Sequence, residues 1–489
     1  MSILKKLASQ TAIYGVSSLF GRFLNYLLVP LYTYYFSTEE YGVVSEFYAY
    51  AGFFSVLLLF GFETGYFRFR DKEQPKRDVT YSTALLFILL LNLSFLSLIW
   101  YLNPGLSSAL HYPDHPEYVW WFSLILVLDA VAAIPFARLR AEERAFRFAG
   151  IKVLEILITV GLSLWFIVYC PKLRAQGITL WPVQFYDPSI GVGYIFIANL
   201  IASCAKFIIL IPQLAGLRWG FDWTLFKRML RYSGPMVVIG FAGIINEMLD
   251  RALLKYLLPY DATTNMQMLG IYGACYKLSI LMSLFIQAFR FAAEPFFFAY
   301  AGNVDAKEVY AKVLNFFVIF CVFIFLLVTL YIDFFKHFVG EAFRAGLHVV
   351  PILLFANLCL GIYVNLSIWY KLTDKTLMGA GVSLFGALLT IALNIYWIPT
   401  YGYTGSAWAT LICYATMAIV SYALGRHYYP VAYDLKRLLG YIGLGVGLYW
   451  ANLELTPLSW TPAWIRATEL LLLYLLSVAW FERKQALSA

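Results

Sequence analysis

The chain has 489 residues, of which 62% are hydrophobic and only 13% are charged, and its net charge is +8. A typical soluble domain is about 25% charged, so the composition excludes a soluble globular protein and predicts an all-α protein that crosses a membrane many times. Nucleic acid is not an expected partner, because the basic residues fall in loops at one predicted membrane face and not on one soluble surface.

Apolar stretches long enough for transmembrane helices follow one another along the chain, and we predict fourteen spans. The first six are residues 11–36, 43–65, 80–102, 118–137, 150–170 and 190–213. The other eight are residues 233–258, 268–290, 310–331, 347–370, 376–397, 402–424, 436–453 and 463–481. The predicted domains are a six-helix lobe (1–213), a cytoplasmic amphipathic linker (214–232), a second six-helix lobe (233–425) and a C-terminal part with spans 13 and 14 (426–489).

The distribution of basic residues predicts the orientation of these spans. Most of the 36 Lys and Arg residues fall in alternate loops, which places those loops on the cytoplasmic side by the positive-inside rule. The number of spans is then even, and both termini are expected in the cytoplasm.

Two features recur along the chain at an interval of six predicted spans. Asp222 before span 7 and Asp434 before span 13 can each cap a short amphipathic basic helix. Spans 1 and 7 each carry an arginine, Arg22 and Arg251. Because six spans separate these positions, the two lobes are predicted to be parallel repeats about an axis along the membrane normal.

Several ionisable residues lie well inside predicted spans. They are Arg22, Asp129, Lys206, Glu247, Asp250, Arg251 and Lys277. Each would cost about 2.5 to 3.5 kcal/mol at a lipid-facing helix centre, so together they would cost more than the stability of most domains. We therefore expect them to face partners or a water-filled cavity.

Helical spacing gathers polar residues into two stripes. In span 1, Arg22 and Asn25 share one side of the helix. The stripe on span 8 recurs at intervals of three and four residues and comprises Tyr276, Ser279, Ser283, Gln287, Arg290 and Glu294, with Lys277 about a third of a turn away. Such stripes predict a hydrophilic path between the two lobes.

This pattern predicts a cationic cavity that binds a phosphate-bearing substrate, since guanidinium and ammonium groups suit phosphate oxygens. The candidate substrate-binding residues are Arg22, Asn25, Lys206, Arg251, Lys277, Gln287 and Arg290. The candidates for ion coupling are Asp129, Glu247 and Asp250.

Structural alternatives stay open for some of these residues. Glu247 with Arg251, and Arg290 with Glu294, have the i, i+4 spacing of intrahelical ion pairs. Asp129 could pair with Arg22 instead of binding a coupling ion.

Catalytic, metal and cofactor sites are not predicted. His111 and His115 have a metal-like spacing, but prolines interrupt any helix that would align them and no third ligand is near. A P-loop sequence is absent, and the outer loops offer no acidic pair of the kind that a membrane glycosyltransferase or glycan polymerase needs. We therefore predict a protein that is not an enzyme.

Three segments carry a family resemblance. Residues 36–42 (Phe-Ser-Thr-Glu-Glu-Tyr-Gly), 229–235 (Met-Leu-Arg-Tyr-Ser-Gly-Pro) and 394–410 resemble the bacterial polysaccharide biosynthesis membrane proteins, the O-antigen-type lipid-linked oligosaccharide flippases. That family belongs to a superfamily that also contains multidrug antiporters and lipid II flippases. From this family we transfer only one position, that of a cationic residue in the first span, which is Arg22 here.

The resemblance implies two lobes around a central cavity, alternating access, and transfer of a polyprenyl-pyrophosphate-linked glycan to the outer leaflet of the bacterial inner membrane. It also implies membrane lipids and a glycan polymerase or assembly machinery as partners. A cation-coupled drug or metabolite antiporter and a lipid II flippase remain alternatives. The excess of basic over acidic residues argues against the antiporter, because cationic substrates would favour an acidic cavity.

Overall fold

The computed structural model describes residues 21, 23–24, 26–70, 77–178, 181, 183–214, 220–456 and 461–488. Helices and their connections account for these residues, and no β-strand occurs among them. The all-α fold class predicted from the sequence is therefore confirmed.

The first group of helices in the described chain lies before residue 258. Residues 26–35 are helical. The next helices are α1 (Thr38–Leu59), α2 (Phe62–Arg70), α3 (Arg77–Ala109), α4 (Pro116–Ala141), α5 (Ala145–Leu164), α6 (Cys170–Ala175), α7 (Gly193–Leu210) and α8 (Trp223–Leu257). A single π-helical turn, Trp165–Tyr169, joins α5 to α6.

The remaining helices complete the described chain. They are α9 (Ala262–Leu278), α10 (Ile280–Tyr300), α11 (Ala306–Leu330), α12 (Ile332–Phe335), α13 (Val350–Leu366), α14 (Ile368–Leu372), α15 (Thr376–Tyr428), α16 (Leu435–Leu455) and α17 (Ala463–Ser488). Helix α15 consists of two helices joined at Gly402, whose φ of 61° and ψ of −147° suit glycine because it lacks a Cβ atom.

Ten helices of the described part are long and apolar enough to cross a membrane, which agrees with a multi-pass membrane protein. Predicted spans 11 and 12 both lie in α15, which counts once among the ten. Predicted spans 7 and 13 coincide with α8 and α16, which are outside the ten. Most of predicted span 1 lies outside the described residues. The number fourteen therefore stays a prediction.

Predicted span 8, residues 268–290, is divided in the structure. Helix α9 ends at Leu278 and α10 begins at Ile280. The Ser279 hydroxyl donates to the Tyr276 carbonyl over 2.7 Å and accepts from the Asn357 amide over 3.2 Å. A serine side chain that bonds to the backbone of the preceding turn offers an alternative to the regular helix, which accounts for a break at this position.

Intramolecular contacts divide the chain into two compact units. Unit 1 contains residues 43–252 and the described residues up to 36; unit 2 contains residues 37–42 and the described residues from 253 onward. Most of α8 thus packs in unit 1, where Leu225 and Met229 join the buried cluster around Phe62 and Tyr66. The division into two six-helix lobes stays a prediction.

In unit 1, helices α4, α5 and α7 pack side by side. Their shared apolar core includes Phe136 of α4, Phe148 and Ile151 of α5, and Leu210 of α7. The core fixes the rotation of the three helices about their axes, and so determines which of their polar side chains meet.

In unit 2, helix α13 packs against both α10 and α15. A Cβ atom at Gly361 of α13 would lie 2.5 Å from the Phe317 ring, so the glycine permits close approach of α11. Ala293 and Phe297 of α10 form a second buried cluster with Tyr310 and with Ile368 of α14. These contacts bring the end of α10 against the junction of α13 and α14.

Candidate functional site

Two predicted site residues cannot be placed. Arg22 and Asn25 lie outside the described residues. Their assignment to a substrate path stays a prediction.

Lys206 of α7 lies at the centre of a charged cluster in unit 1. Its side chain is only 2% exposed, and its Nζ lies 2.6 Å from Asp129 Oδ1 of α4 and 2.5 Å from Glu155 Oε1 of α5. The buried ammonium group is thus paired, because three helices each supply one charged group. We call Lys152, Lys206, Asp129 and Glu155 the Lys206 cluster.

Neighbouring groups complete the cluster. Ser203 Oγ donates to Asp129 Oδ1 over 2.7 Å, and Lys152 Nζ lies 3.1 Å from Glu155 Oε2. The ammonium group of Lys152 also lies 4.8 Å from the centre of the Phe136 ring. Two lysines thus balance two carboxylates.

The two carboxylates of the cluster differ in exposure. The Asp129 side chain is 47% exposed, whereas that of Glu155 is 16% exposed. Asp129, predicted for ion coupling, is therefore the accessible member of the cluster. Lys206, predicted to bind substrate, has its charge already neutralised by two carboxylates.

The sequence indicated that Lys206 needs a partner but did not identify it. Glu155 could be explained by Lys152 three residues earlier, since i, i+3 pairs are satisfied within one helix. Its second bond to Lys206 depends on how α5 and α7 pack, and no spacing within either helix reveals it.

The charged residues of α8 occupy three different environments. Asp250 is 4% exposed, Arg251 is half-buried and Glu247 is exposed. The Arg251 backbone N–H donates to Asp250 Oδ1 over 2.8 Å. Among the described residues, the Glu247 carboxylate forms no ion pair with the Arg251 guanidinium, so the structure does not contain the intrahelical pair that the spacing allowed.

Two residues of the predicted stripe on span 8, Ser279 and Ser283, join helices. Ser283 Oγ lies 3.3 Å from Asn357 Oδ1, and Asn357 Nδ2 donates to Ser279 Oγ. Ser279 and Asn357 are buried, while Lys277 and Gln287 are half-buried. Asn357, on α13, was not among the residues that the sequence singled out.

Two other residues of the stripe, Arg290 and Glu294, line a cleft in unit 2, which we call the Arg290 cleft. Its polar lining consists of Arg290, Glu294, Asn365, Ser367 and Lys371. Arg290 Nε lies 3.7 Å from Glu294 Oε2, which agrees with the predicted i, i+4 pair. Glu294 also forms an ion pair with Lys371 of α14, a residue just beyond the end of predicted span 10 (347–370).

The two histidines with a metal-like spacing do not form part of a metal cluster. His115 Nδ1 lies 2.8 Å from Glu117 Oε1. No group of three or more His, Cys, Asp or Glu side chains suited to a metal ion occurs in the part of the chain that the structure describes.

These helices define a multi-pass membrane protein, and its fold is similar to those of solved membrane transporters. The chain resembles the lipid II flippase MurJ in an inward-closed conformation, with a TM-score of 0.75 and 16% identity over 97% of this chain and 100% of that one. An inward-facing multidrug resistance MATE family transporter of the MOP superfamily gives a TM-score of 0.66 and 14% identity over 84% of this chain and 94% of that one.

The MATE multidrug transporter DinF-BH gives a TM-score of 0.62 and 16% identity, over 88% of this chain and 97% of that one. At such identities the likeness shows a shared fold alone. No curated protein sequence matches the chain.

The family is identified by sequence. The model of the family described as "Polysaccharide biosynthesis protein" matches residues 7–301, which is more than half of the chain. The protein belongs to this family, as the resemblance had indicated; segments 36–42 and 229–235 lie within the match, and segment 394–410 lies beyond it.

Proposed function

We propose that the protein is a flippase that moves a polyprenyl-pyrophosphate-linked oligosaccharide from the cytoplasmic to the outer leaflet of the bacterial inner membrane, by alternating access and with both termini in the cytoplasm. The observation that carries this proposal is the match to the polysaccharide biosynthesis family over residues 7–301. The surface or secreted polysaccharide would be an O-antigen, a capsule or an exopolysaccharide, and a glycan polymerase would act on the translocated product.

The charges of the chain suit such a substrate. A glycan pyrophosphate cannot cross hydrocarbon unaided, so its carrier must supply polar partners within the membrane. Arg251, Lys277 and Gln287 are half-buried and Arg290 is exposed, which leaves them accessible to an anionic head group. Together with Arg22 and Asn25 they are the proposed substrate-binding residues.

The proposed energy source is an ion gradient, the membrane potential or consumption of the product on the far side of the membrane, because the sequence contains no P-loop. Asp129, Glu247 and Asp250 are the proposed coupling residues. Asp129 and Glu247 are exposed carboxylates on transmembrane helices, an arrangement that allows exchange of a cation or a proton.

Reconstitution tests the proposal directly. Purified full-length protein is placed in liposomes that carry a fluorescent polyprenyl-pyrophosphate oligosaccharide in both leaflets, and a membrane-impermeant glycosidase is added outside. Protein-free liposomes should protect about half of the substrate, because its head group does not cross unaided. With the flippase, and with an ion gradient and a membrane potential imposed across the liposomes, nearly all of the substrate should become cleavable, and unchanged protection would contradict the proposal.

A lipid II flippase is the second candidate, favoured by the full-length likeness to MurJ. The same liposomes loaded with lipid II distinguish the two substrates. A third set, loaded with a cationic dye and given an imposed ion gradient, tests the antiporter alternative.

A further inference from the structure

Helix α7 carries a polar stripe that extends beyond Lys206. Asn199, Ser203 and Lys206 follow one another at intervals of four and three residues, so they share one face of the helix. Asn199 reaches α1, where its Nδ2 donates to the Tyr48 hydroxyl over 3.3 Å. One turn further along α7, Ser203 donates to Asp129 of α4. Tyr48 and Asp129 therefore lie against successive turns of the same polar face in unit 1.

A buried aromatic contact holds α1 and α7 in this arrangement. The rings of Phe47 of α1 and Phe196 of α7 have their centres 5.0 Å apart, and both side chains are buried. Tyr48 follows Phe47 directly, and consecutive side chains of an α-helix point about 100° apart. The Tyr48 side chain therefore leaves the aromatic contact, and it is 45% exposed.

The exposed side of Tyr48 belongs to a surface that faces water. Asp129 lies within electrostatic range of Tyr48, and its side chain is 47% exposed. A carboxylate that faced hydrocarbon from the middle of a transmembrane helix would be costly, so such a group faces water or a partner. Because Asp129 remains exposed beside its partner Lys206, water reaches this face of the helices.

Tyr48 and Asn199 both keep unused hydrogen-bonding atoms at this surface. Asn199 Nδ2 also donates to the Ile195 carbonyl over 2.8 Å, which fixes the orientation of the amide because a carbonyl can only accept. Asn199 is half-buried, and its Oδ1 accepts no hydrogen bond from a described residue. The Tyr48 hydroxyl accepts from Asn199 but donates to none of the described residues. An accessible aromatic ring, a donor and an acceptor thus lie together.

The local charge favours an uncharged ligand. Asp129 is the most exposed member of the Lys206 cluster, and Lys206 itself is buried. An anionic group beside Tyr48 would therefore meet the like charge of Asp129. A neutral sugar ring avoids this repulsion. It presents C–H groups on one face and hydroxyl groups around its edge, which suit the Tyr48 ring and the two free polar atoms.

We propose that Tyr48 and Asn199 form a subsite for an uncharged sugar ring of the transported glycan, made of residues other than the cations proposed for its pyrophosphate. The Tyr48 ring packs against the apolar face of the sugar, the Tyr48 hydroxyl donates to a sugar oxygen, and Asn199 Oδ1 accepts from a sugar hydroxyl. The identity of the ligand as a glycan rests on the proposed function.

Binding to the full-length protein in nanodiscs tests the subsite. The probes are short-chain polyprenyl pyrophosphates that carry glucose, glucuronic acid or no sugar. All three share the lipid chain and the pyrophosphate, so the ratio of the affinities for the glucose probe and the sugar-free probe isolates the sugar contact. We expect this ratio to be about ten or more in the wild type and to fall about tenfold in Tyr48→Leu, which removes both the ring and the hydroxyl.

Two further variants separate the contacts. Tyr48→Phe keeps the ring and should lower the ratio about threefold, as should Asn199→Ala, because each loses one hydrogen bond. The matched control is Tyr101→Leu, at an exposed tyrosine of α3 that forms no hydrogen bond with a described residue; it should change the ratio by less than about twofold.

A structural role of Tyr48 would give a different result. A variant with a distorted fold loses affinity for the glucose probe and the sugar-free probe alike, so its ratio stays unchanged, and that outcome overturns the subsite. If Tyr48→Leu does not fold, Tyr48→Phe still tests the sugar contact, because it keeps the size and shape of the ring.

The glucuronic acid probe tests the preference for an uncharged sugar. Wild-type protein should bind it about tenfold more weakly than the glucose probe, because its carboxylate meets Asp129. Asp129→Asn should reduce this difference to about threefold or less. Equal affinity of the wild type for the two sugars would overturn the assignment of an uncharged ligand.

The subsite and the proposed function can fail separately. A ratio near one in the wild type, or a ratio that the Tyr48 and Asn199 variants leave unchanged, overturns the subsite even if the liposomes show glycan transport. Sugar-dependent binding that requires Tyr48, without transport in the liposomes, supports the subsite and contradicts the proposed function.

Discussion

Lys206 in unit 1 and Arg290 in unit 2 each meet a carboxylate of a transmembrane helix, but their surroundings differ. Lys206 is 2% exposed and lies within 2.6 Å of two carboxylates. Arg290 is 57% exposed and stands 3.7 Å from its one carboxylate. The first cation is fully occupied by the protein, and the second is open to a ligand.

Burial explains this difference. A charge removed from solvent is tolerated only when partners surround it, so its interactions contribute to stability. A charge left at a surface gains little from its partner and can exchange it for a ligand. Intramembrane charge by itself therefore does not identify a substrate site.

Lys206→Met should give the largest change in stability. It removes the lysine that pairs with Asp129 and leaves Glu155 with Lys152 alone, and removing one partner of a buried pair costs about 3–5 kcal/mol. The free energy of unfolding, measured by denaturant titration in detergent, should fall accordingly. The control is Lys152→Met, whose 34% exposed side chain should cost less than about 1 kcal/mol; equal losses would contradict the comparison.

Neutralising Glu155 or Asp129 should lower the free energy of unfolding by less than Lys206→Met does, with the larger loss at Glu155. Glu155→Gln weakens bonds to two lysines at a side chain that is 16% exposed, so we expect a loss of about 1.5–3 kcal/mol. Asp129→Asn should cost about 1 kcal/mol or less, because that side chain is 47% exposed. Denaturant titration of the two variants would show the reverse order if Asp129 were the main structural partner.

Unlike Lys206→Met, Arg290→Gln should lower transport activity and leave the free energy of unfolding almost unchanged. Its exposed pair with Glu294 contributes less than about 1 kcal/mol to unfolding, whereas initial transport in the liposome assay should fall by about tenfold if the cleft binds substrate phosphate. The control for both measurements is Lys312→Gln, which also removes one partner of an exposed i, i+4 pair, with Glu308. A stability loss as large as that of Lys206→Met would make Arg290 a structural residue.

Asp261 gives the smallest expected effect and serves as a fully exposed reference. It caps α9: Thr264 Oγ1 donates to Asp261 Oδ1 over 2.7 Å and Thr264 N donates to Asp261 Oδ2 over 3.0 Å. The side-chain bond from Thr264, followed by the backbone bond, lowers the pKa of the Asp261 carboxyl from its ordinary value.

A carboxyl whose pKa is lowered by folding stabilises the native state above its unfolded pKa, and this contribution is lost as the pH falls through the lower folded pKa. Wild-type protein should therefore be slightly more stable than Asp261→Ala at neutral pH, and the difference should shrink as the pH falls below about 3.8. A difference that does not depend on pH would show that the charge of the cap is irrelevant. Thermal unfolding over a pH series measures it.

The sequence by itself determined the features that depend on near neighbours in the chain. Local hydropathy predicted an all-α membrane protein, because about 20 apolar residues suffice for one span whatever surrounds them. The pairs Lys152–Glu155 and Arg290–Glu294 were predictable because a regular helix brings residues three and four apart together. Family membership likewise came from continuous segments.

Tertiary structure alone decided the distant partners. Lys206 and Glu155 are 51 positions apart, Glu294 and Lys371 are 77 apart, and Asn357 reaches Ser279 across 78 positions. Each contact depends on the rotation of two packed helices, which the spacing within one helix does not specify. The same packing buried Lys206 and left Arg290 exposed, and thereby separated a structural charge from a candidate binding residue.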